Sequence, residues 1–153
     1  MTEASISERI QAEMVKAMKA KDAATLSTVR MLKSALLEAK TAKPKDSVLS
    51  RDEEIEVLQR YVKKRRETIE THKKIGRADL IPSEEAEIAV TQRFLPALLS
   101  EEKLAEIVKA AVASTGAAGP KDMGKVIGAV MAQVKGQAEG GTVSKLVKTA
   151  LGG

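Results

Sequence analysis

The sequence is poor in the side chains on which many binding and catalytic sites depend. Its 153 residues include no cysteine and no tryptophan, and only one tyrosine and one phenylalanine. Without cysteine, the chain can form neither a disulfide nor a thiolate that attacks substrates or binds metal. Tyr61 and Phe94 are too few for the aromatic platforms on which readers of single-stranded RNA stack bases. Any RNA bound by this chain should therefore be recognised by shape and phosphate charge.

Long apolar stretches are missing as well. The hydrophobic runs span only a few residues, whereas a helix that crosses a membrane needs about 20 apolar residues. The first residues also lack the basic start and the apolar core of a secretory signal. We therefore expect a soluble, cytoplasmic protein that does not contact a membrane.

The composition is that of a folded protein with a basic balance. Hydrophobic residues make up 43% of the chain and charged residues 31%, which is too apolar for disorder. The net charge is +5, and the pI is about 9.4. This excess of cations favours an acidic partner such as nucleic acid, although many basic proteins bind none.

The residue pattern predicts an all-α fold. No segment alternates polar and apolar residues as a strand would, and Ala, Glu, Lys and Leu are good helix formers. Local signals indicate seven helices, over about residues 5–21, 22–42, 51–75, 83–95, 100–113, 121–135 and 142–151. The expected N-caps are Asp22, Ser50, Ser83 and Ser100, the second in a capping box with Glu53.

Apolar residues at helical spacing identify the inward face of each helix. In the first five helices the predicted inward residues are Ile6, Ile10, Met14, Met18, Leu26, Val29, Leu32, Leu36, Leu37, Ile55, Leu58, Val62, Ile69, Ile88, Val90, Phe94, Leu104, Ile107, Val108 and Val112. All arginines lie before Leu95, and most glycines lie after it. We therefore predict two domains, a long-helix domain over residues 1–96 and a small three-helix bundle over residues 97–153.

No constellation in the sequence forms a self-sufficient catalytic site. The single histidine, His72, lies near a helix end, where a cation suits the helix dipole, and a general base would need an oriented partner. There is no His/Cys cluster for a transition metal. The segment before Lys121 departs from a phosphate loop because Pro120 replaces the second glycine and Asp122 would repel phosphate. We expect no catalytic residue, no metal and no cofactor.

The densest basic run, residues 63–66, has two interpretations. Two lysines and two arginines in succession are compatible with a nucleic-acid patch. Alternatively, Lys63 pairs with Glu67 and Arg66 with Glu70, each one helical turn away, and the run is a solvated face. In that second interpretation, the stem of Arg65 covers the neighbouring apolar residues.

The sixth helix carries two adjacent stripes. Its predicted inward stripe is Met123, Ile127, Val130, Met131 and Val134. A second stripe beside it holds small residues, with lysines on the same side: Gly124, Gly128 and Ala132, then Lys121, Lys125 and Lys135. Glycines inside a helix cost about 1 kcal/mol each relative to alanine, so a compensating gain is expected. The two candidates are close packing of the last helix and close approach of a phosphate backbone, whose patch Lys145 and Lys148 would extend.

Several segments of the sequence form a combination that is specific when taken together. They are residues 122–131, 135–140, 143–147 and 151 in the C-terminal part, and residues 30–35, 63–66 and 94–96 before it. These segments resemble those of the YqeY-like family and, in the C-terminal part, those of the tail domain of the B subunit of Glu/Asp-tRNA amidotransferase. The resemblance covers nearly the whole chain. It implies a long-helix front domain followed by a three-helix tail.

The resemblance also implies a link to tRNA. In the amidotransferase, the tail contacts the elbow of the tRNA by shape and helps to present its 3′ end to active sites elsewhere. By position, the contact residues that the resemblance and the patch imply are Lys121, Gly124, Lys125, Gly128, Lys135, Gly136, Lys145 and Lys148. Carbon–nitrogen ligase activity with glutamine as the amide donor is the family-level label. This chain lacks the other subunits' machinery, so it is not expected to be an enzyme alone.

Three functions remain open at this point. The first is an accessory, tRNA-associated protein that acts alone or beside the amidotransferase or another translation component. The second is a protein-interaction adaptor that binds no RNA. The third is a true amide-transfer enzyme, for which glutaminase activity of the purified protein would be the evidence.

Overall fold

The computed structural model describes residues 3–152. All regular secondary structure in this part of the chain is helical, and it contains no strand. It contains seven α-helices: α1 (Ile6–Lys19), α2 (Ala23–Thr41), α3 (Arg51–Lys74), α4 (Ile81–Gln92), α5 (Glu101–Thr115), α6 (Met123–Val134) and α7 (Gly140–Ala150). Short 3₁₀ helices, Ala78–Leu80 and Pro120–Asp122, precede α4 and α6. The all-α prediction is confirmed. The contacts divide the chain into two compact units, Met1–Leu95 and Pro96–Gly153.

The N-terminal unit is built from α1 to α4. Helix α1 packs along α2, α3 packs along α4, and α2 contacts both α3 and α4. The side chains that are most completely buried in this unit are Ile6, Ile10, Val29, Leu32 and Leu58. Their spacing of three or four residues within each helix places them on one face, as the periodicity predicts.

Three of the four predicted helix caps are present. The Asp22 carboxylate accepts a hydrogen bond from the Thr25 amide at 3.1 Å. Hydrogen bonding by Thr25, first through its side chain and then through its amide, lowers the pKa of Asp22. The Ser50 hydroxyl accepts a hydrogen bond from the Glu53 amide at 3.1 Å. The Ser50 amide in turn donates to the Glu53 carboxylate at 3.3 Å, which completes the capping box. The Ser100 hydroxyl caps α5 by accepting a hydrogen bond from the Lys103 amide at 3.1 Å. These bonds satisfy amides that a helix start leaves without a partner.

The fourth predicted cap is wrong. Helix α4 begins at Ile81 behind Leu80, so Ser83 lies inside its first turn and makes no cap. Proline is well suited to the first helical positions, where no amide is needed, and Pro82 therefore allows the helix to begin before it. Ile81 also packs partly against the core, which a start at Ser83 would forgo.

Two predicted core residues of the N-terminal unit are exposed. Met18 is 53% exposed, and its neighbour Ala17 is buried instead. Leu37 is 58% exposed, whereas Leu36 beside it is buried. Adjacent residues point about 100° apart on a helix, so at these two edges of the apolar face one neighbour is buried and the other points to solvent.

The C-terminal unit consists of α5, α6 and α7, and each of these helices contacts the other two. Its core includes Leu104, Val108, Val126, Val143 and Val147. Gly116, the residue that follows α5, lies in the left-handed region of backbone conformation, with φ +68°. Only glycine adopts this conformation without steric cost, which makes Gly116 an effective stop.

Candidate nucleic-acid interface

The orientation of α6 differs from the predicted one. Its buried line consists of Val126, Val130 and Val134, each fully or almost fully enclosed. Val126 was not among the predicted inward residues, and Met123, Ile127 and Met131 are only partly buried. The centre of the inward face is therefore Val126 and its i+4 and i+8 neighbours.

This rotation turns the small-residue stripe to the outside. At 100° per residue, Gly128 lies about 160° around the helix from both Val126 and Val130. Gly124, Gly128, Ala129 and Ala132 are all exposed. This stripe of the outer surface consequently carries no side chain larger than a methyl group.

The packing explanation for the two glycines is contradicted. Apart from its chain neighbours and the backbone of its own helix, a Cβ added to Gly124 or Gly128 would meet no described atom within 4 Å, so the last helix does not approach them. An alanine at either position would fit and would favour the helix by roughly 1 kcal/mol. The compensating gain therefore has no source in the described packing of the chain itself.

Lysines stand on the exposed surfaces of this unit. Lys121, Lys125, Lys145 and Lys148 are exposed. Lys125 precedes the outward-facing Gly128 by three residues, so the two lie about 60° apart around α6. On α7, Lys145 lies about 160° from both buried residues Val143 and Val147 and points away from the core.

The two predicted contact residues at the end of α6, Lys135 and Gly136, differ in their exposure to solvent. Lys135 is exposed and adopts a left-handed conformation with φ +37°. Gly136 follows with φ +87° and is buried. Gly136 thus serves the tight turn that leaves α6, and its surface is not available to a phosphate. The other seven predicted contact residues are at least partly accessible.

The start of α7 has an accessible set of backbone amides that was not predicted from the sequence. The helix begins at Gly140 behind Glu139, without a hydrogen bond from a capping side chain. A Cβ on Gly140 or Gly141 would meet nothing within 4 Å. The first amides of a helix attract anions, and residues without side chains leave them accessible. The predicted helix began at about residue 142, which left both glycines outside it.

A polar cluster in the N-terminal unit corrects the interpretation of Arg65. Its Nη1 lies 3.6 Å from Oε2 of Glu84 and 3.5 Å from Oε2 of Glu87, and its guanidinium stacks over the Tyr61 ring at 4.9 Å. The Tyr61 hydroxyl donates to Glu87 at 3.0 Å. Burial, and then the nearby Glu87 carboxylate, raises the pKa of Tyr61 to about 12. Arg65 therefore joins α3 to α4 and does not lie on a solvated face.

The rest of the basic run is exposed. Lys63 and Lys64 face solvent, and the predicted ion pair between Lys63 and Glu67 does not form within the part of the chain that the structure describes. These two lysines follow Arg60, which pairs with Glu56 at 3.1 Å. The nucleic-acid interpretation of this run remains a prediction.

His72 lies beside the same polar cluster. Its Nε2 is 3.9 Å from Oε1 of Glu84, which is too long for a hydrogen bond, and its buried Nδ1 has no partner. Among residues 3–152, no group of three or more acidic, histidine or cysteine side chains could hold a metal ion. None of the helices described combines the length and the apolar character that crossing a membrane requires.

Comparison with known proteins identifies a family to which the sequence matches and a protein of similar sequence. The family described as Yqey-like protein matches residues 7–151. This chain belongs to the YqeY-like family. A relative from Pyrenophora tritici-repentis (strain Pt-1C-BFP), named altered inheritance of mitochondria protein 41, mitochondrial, is 31% identical over 150 residues. The alignment covers 94% of this chain and 80% of that relative. The YqeY-like match spans most of both compact units and includes every residue of the candidate interface.

Proposed function

We propose that the C-terminal unit of this YqeY-like protein binds tRNA and that the protein acts as an accessory factor without catalysis of its own. The observation that carries the proposal is the outward glycine stripe of α6. Gly124 and Gly128 lower the intrinsic stability of the helix, yet no described part of the chain packs against them. A binding partner that must come close to the helix backbone would account for both facts.

Nucleic acid fits the chemistry of this surface. A helix face of Gly128, Ala129 and Ala132 is smooth enough for a sugar-phosphate backbone to approach closely. Lys121 and Lys125 supply positive charge next to it, and phosphate contacts release counterions when lysines neutralise them. The open start of α7 offers backbone amides to a further phosphate.

The shortage of aromatic residues limits the classes of RNA that the chain can recognise. Both aromatic side chains of the protein, Tyr61 and Phe94, are buried in the N-terminal unit. Bases cannot stack on them, so recognition by shape and by phosphates is the mode that remains to this chain. A folded RNA such as the tRNA elbow suits that mode, whereas an unpaired strand does not.

The proposal includes a cytoplasmic location and a translation component, such as the amidotransferase, as the neighbour that uses the bound tRNA. Amide transfer from glutamine would belong to that neighbour. The name of the Pyrenophora relative contains the word mitochondrial.

The direct test is the affinity for tRNA at low and moderate salt. We expect salt-sensitive binding that Lys125→Glu weakens several-fold, with a shallower dependence of log Kd on log salt, by about one phosphate contact. Lys109→Glu is the matched control, because Lys109 is also exposed in the C-terminal unit and changes the net charge equally. Far-UV circular dichroism of both variants checks that the helices are intact.

Two results would contradict the proposal. One is an affinity for tRNA no better than for a random RNA duplex of the same length. The other is an equal effect of Lys109→Glu and Lys125→Glu, which would indicate attraction by net charge alone. Partners that survive nuclease treatment while tRNA fails to bind would favour the adaptor that binds no RNA.

A further inference from the structure

A groove in the N-terminal unit lies outside the candidate interface. It has a volume of about 590 Å³ and is bounded by the first half of α1, the second half of α2 and the loop before α3. Its floor includes Ile10 and Leu36, both buried in the core. Its rim includes Leu37, and also Val48, which is 72% exposed. Large apolar side chains exposed beside a groove are typical of a surface that a partner covers.

The positive charges of the groove lie along α2. Lys33 and Lys40 line it seven residues apart, which places them on one side of the helix and about 10 Å from each other along its axis. Lys33 contacts the neutral amide oxygen of Gln11 at 2.8 Å, and no ion pair of Lys40 forms within residues 3–152. Neither ammonium group is neutralised by a described carboxylate.

The negative charges of the groove are already engaged. Glu8 accepts a hydrogen bond from the Ser5 amide at 2.9 Å in the capping box of α1. Glu54 is buried and accepts from the amides of Ile6 and Ser7. The amides and the dipole of α1 stabilise both carboxylates, and Glu54 is buried away from solvent, whereas Glu8 is exposed and keeps its charge. The groove therefore presents Lys33 and Lys40 beside one accessible carboxylate, which leaves an excess of positive charge for a partner.

The groove is open to solvent along its rim, and this shape favours one kind of partner. Small-molecule sites enclose most of their ligand, whereas here Leu37 and Val48 stand at the rim with more than half of their surface in solvent. A helix laid in a groove needs an open channel, apolar anchors at i, i+3 or i+4 and i+7, and complementary charges beside them. Carboxylates seven residues apart on such a helix match the spacing of Lys33 and Lys40.

We propose that this groove docks an amphipathic α-helix of an acidic protein partner, with its apolar stripe against Leu36, Leu37 and Val48 and its carboxylates beside Lys33 and Lys40. The inference is independent of the tRNA proposal, because it concerns other residues and another class of ligand. A protein of this kind could hold a partner with one unit and RNA with the other.

The test begins with a photo-reactive benzoyl-phenylalanine in place of Leu37 in the full chain. After crosslinking in a nuclease-treated lysate of the source organism, mass spectrometry identifies the attached segment. We expect an acidic segment with apolar residues at helical spacing. A synthetic peptide of that segment should then bind the unmodified chain, with at least a tenfold loss of affinity in the double variant Lys33→Glu/Lys40→Glu.

The control and the charge swap make the result specific. Lys63→Glu/Lys64→Glu changes the net charge equally outside the groove and should leave the peptide affinity unchanged. A peptide whose acidic residues are replaced by lysine should prefer the Lys33→Glu/Lys40→Glu variant. The proposal is overturned by the absence of a crosslinked protein segment, by attachment to a second copy of this chain, or by a peptide whose affinity ignores both variants.

Discussion

Glu54 accepts two hydrogen bonds from Ser7, one from its backbone amide at 2.8 Å and one from its hydroxyl at 2.6 Å. The amide of Ile6 donates to the same carboxylate at 3.3 Å. A buried side chain of α3 thus caps the start of α1 from 47 residues away along the chain. The carboxylate satisfies amides that the helix leaves without partners, and the positive end of the helix dipole stabilises its charge.

We expect Glu54→Ala to destabilise the N-terminal unit. The change removes the acceptor from two backbone amides and one hydroxyl in a partly buried setting, which costs about 1–3 kcal/mol. Urea unfolding followed by circular dichroism measures the difference. Glu56→Ala is the control, because Glu56 forms only an exposed pair with Arg60 and its loss should change stability by less than about 1 kcal/mol. Equal stabilities of the two variants would refute the role assigned to Glu54.

The pKa of Tyr61 offers a test of the polar cluster between α3 and α4. We expect the folded protein to ionise its tyrosine at about pH 12, because the phenol is buried and donates to the Glu87 carboxylate. The raised pKa means that this group contributes stability below pH 10, its ordinary value, and that the contribution is lost as the pH rises from 10 towards 12. The absorbance of tyrosinate reports Tyr61 alone, since the chain has one tyrosine and no tryptophan.

Two variants separate the causes of that shift. Glu87→Gln removes the nearby negative charge and should lower the pKa of Tyr61 without returning it to 10, because burial is the larger cause. Glu85→Gln, on an exposed position of the same helix, should leave it unchanged. A midpoint at pH 10 in the unmodified chain, with its helical circular dichroism intact, would show that the phenol is not held as described.

Gly128→Ala should have opposite effects on folding and binding. The structure leaves room for the added methyl group, so the variant should be more stable by about 0.5–1 kcal/mol. If RNA approaches this face, the same variant should bind tRNA more weakly, and Gly128→Gln more weakly still. Ala110→Gln, at an exposed position of α5, is the control for the longer side chain. Unchanged tRNA affinity in Gly128→Gln would remove this face from the proposed interface.

The pair of Lys43 and Glu53 should make the start of α3 sensitive to acid. Lys43 donates to Glu53 at 2.8 Å, and this hydrogen bond is the main reason that the pKa of Glu53 lies below 4.5. A lowered pKa contributes stability above pH 4.5 that is lost as the pH falls through the folded value. Lys43→Met should raise the pKa of Glu53, measured by the NMR shift of its carboxyl carbon. Lys45→Met should not, and a similar shift in both variants would contradict the assignment.

The parts of the fold that sequence predicts best are those that depend on neighbours in the chain. Asp22, Ser50 and Ser100 were predicted as caps and act as caps, because a hydroxyl or carboxylate reaches an amide three residues away whatever the rest of the chain does. Ser83 failed because a second local signal, Pro82, competed with it, and packing of Ile81 favoured the earlier start.

Contacts between distant residues escaped prediction. In the solvated-face interpretation of residues 63–66, Arg65 had no ion pair of its own, whereas the structure places it beside two carboxylates of another helix, Glu84 and Glu87. The cap that Glu54 provides for α1 has no local signature at all. Periodicity identifies an apolar face, but it does not say which long polar side chains meet across it.

The sequence by itself determined that this protein is helical and where most of its helices begin and end. It also determined that one helix of the C-terminal part carries two glycines, with lysines in and beside it. Those properties follow from propensity, capping and composition, which act over a few residues. Only the tertiary structure decided how α6 is rotated. The enclosure of Val126, Val130 and Val134 by α5 and α7 turns Gly124 and Gly128 to solvent. That rotation depends on the volume and shape of the facing helices, and it converts a stripe that could have served packing into an open surface.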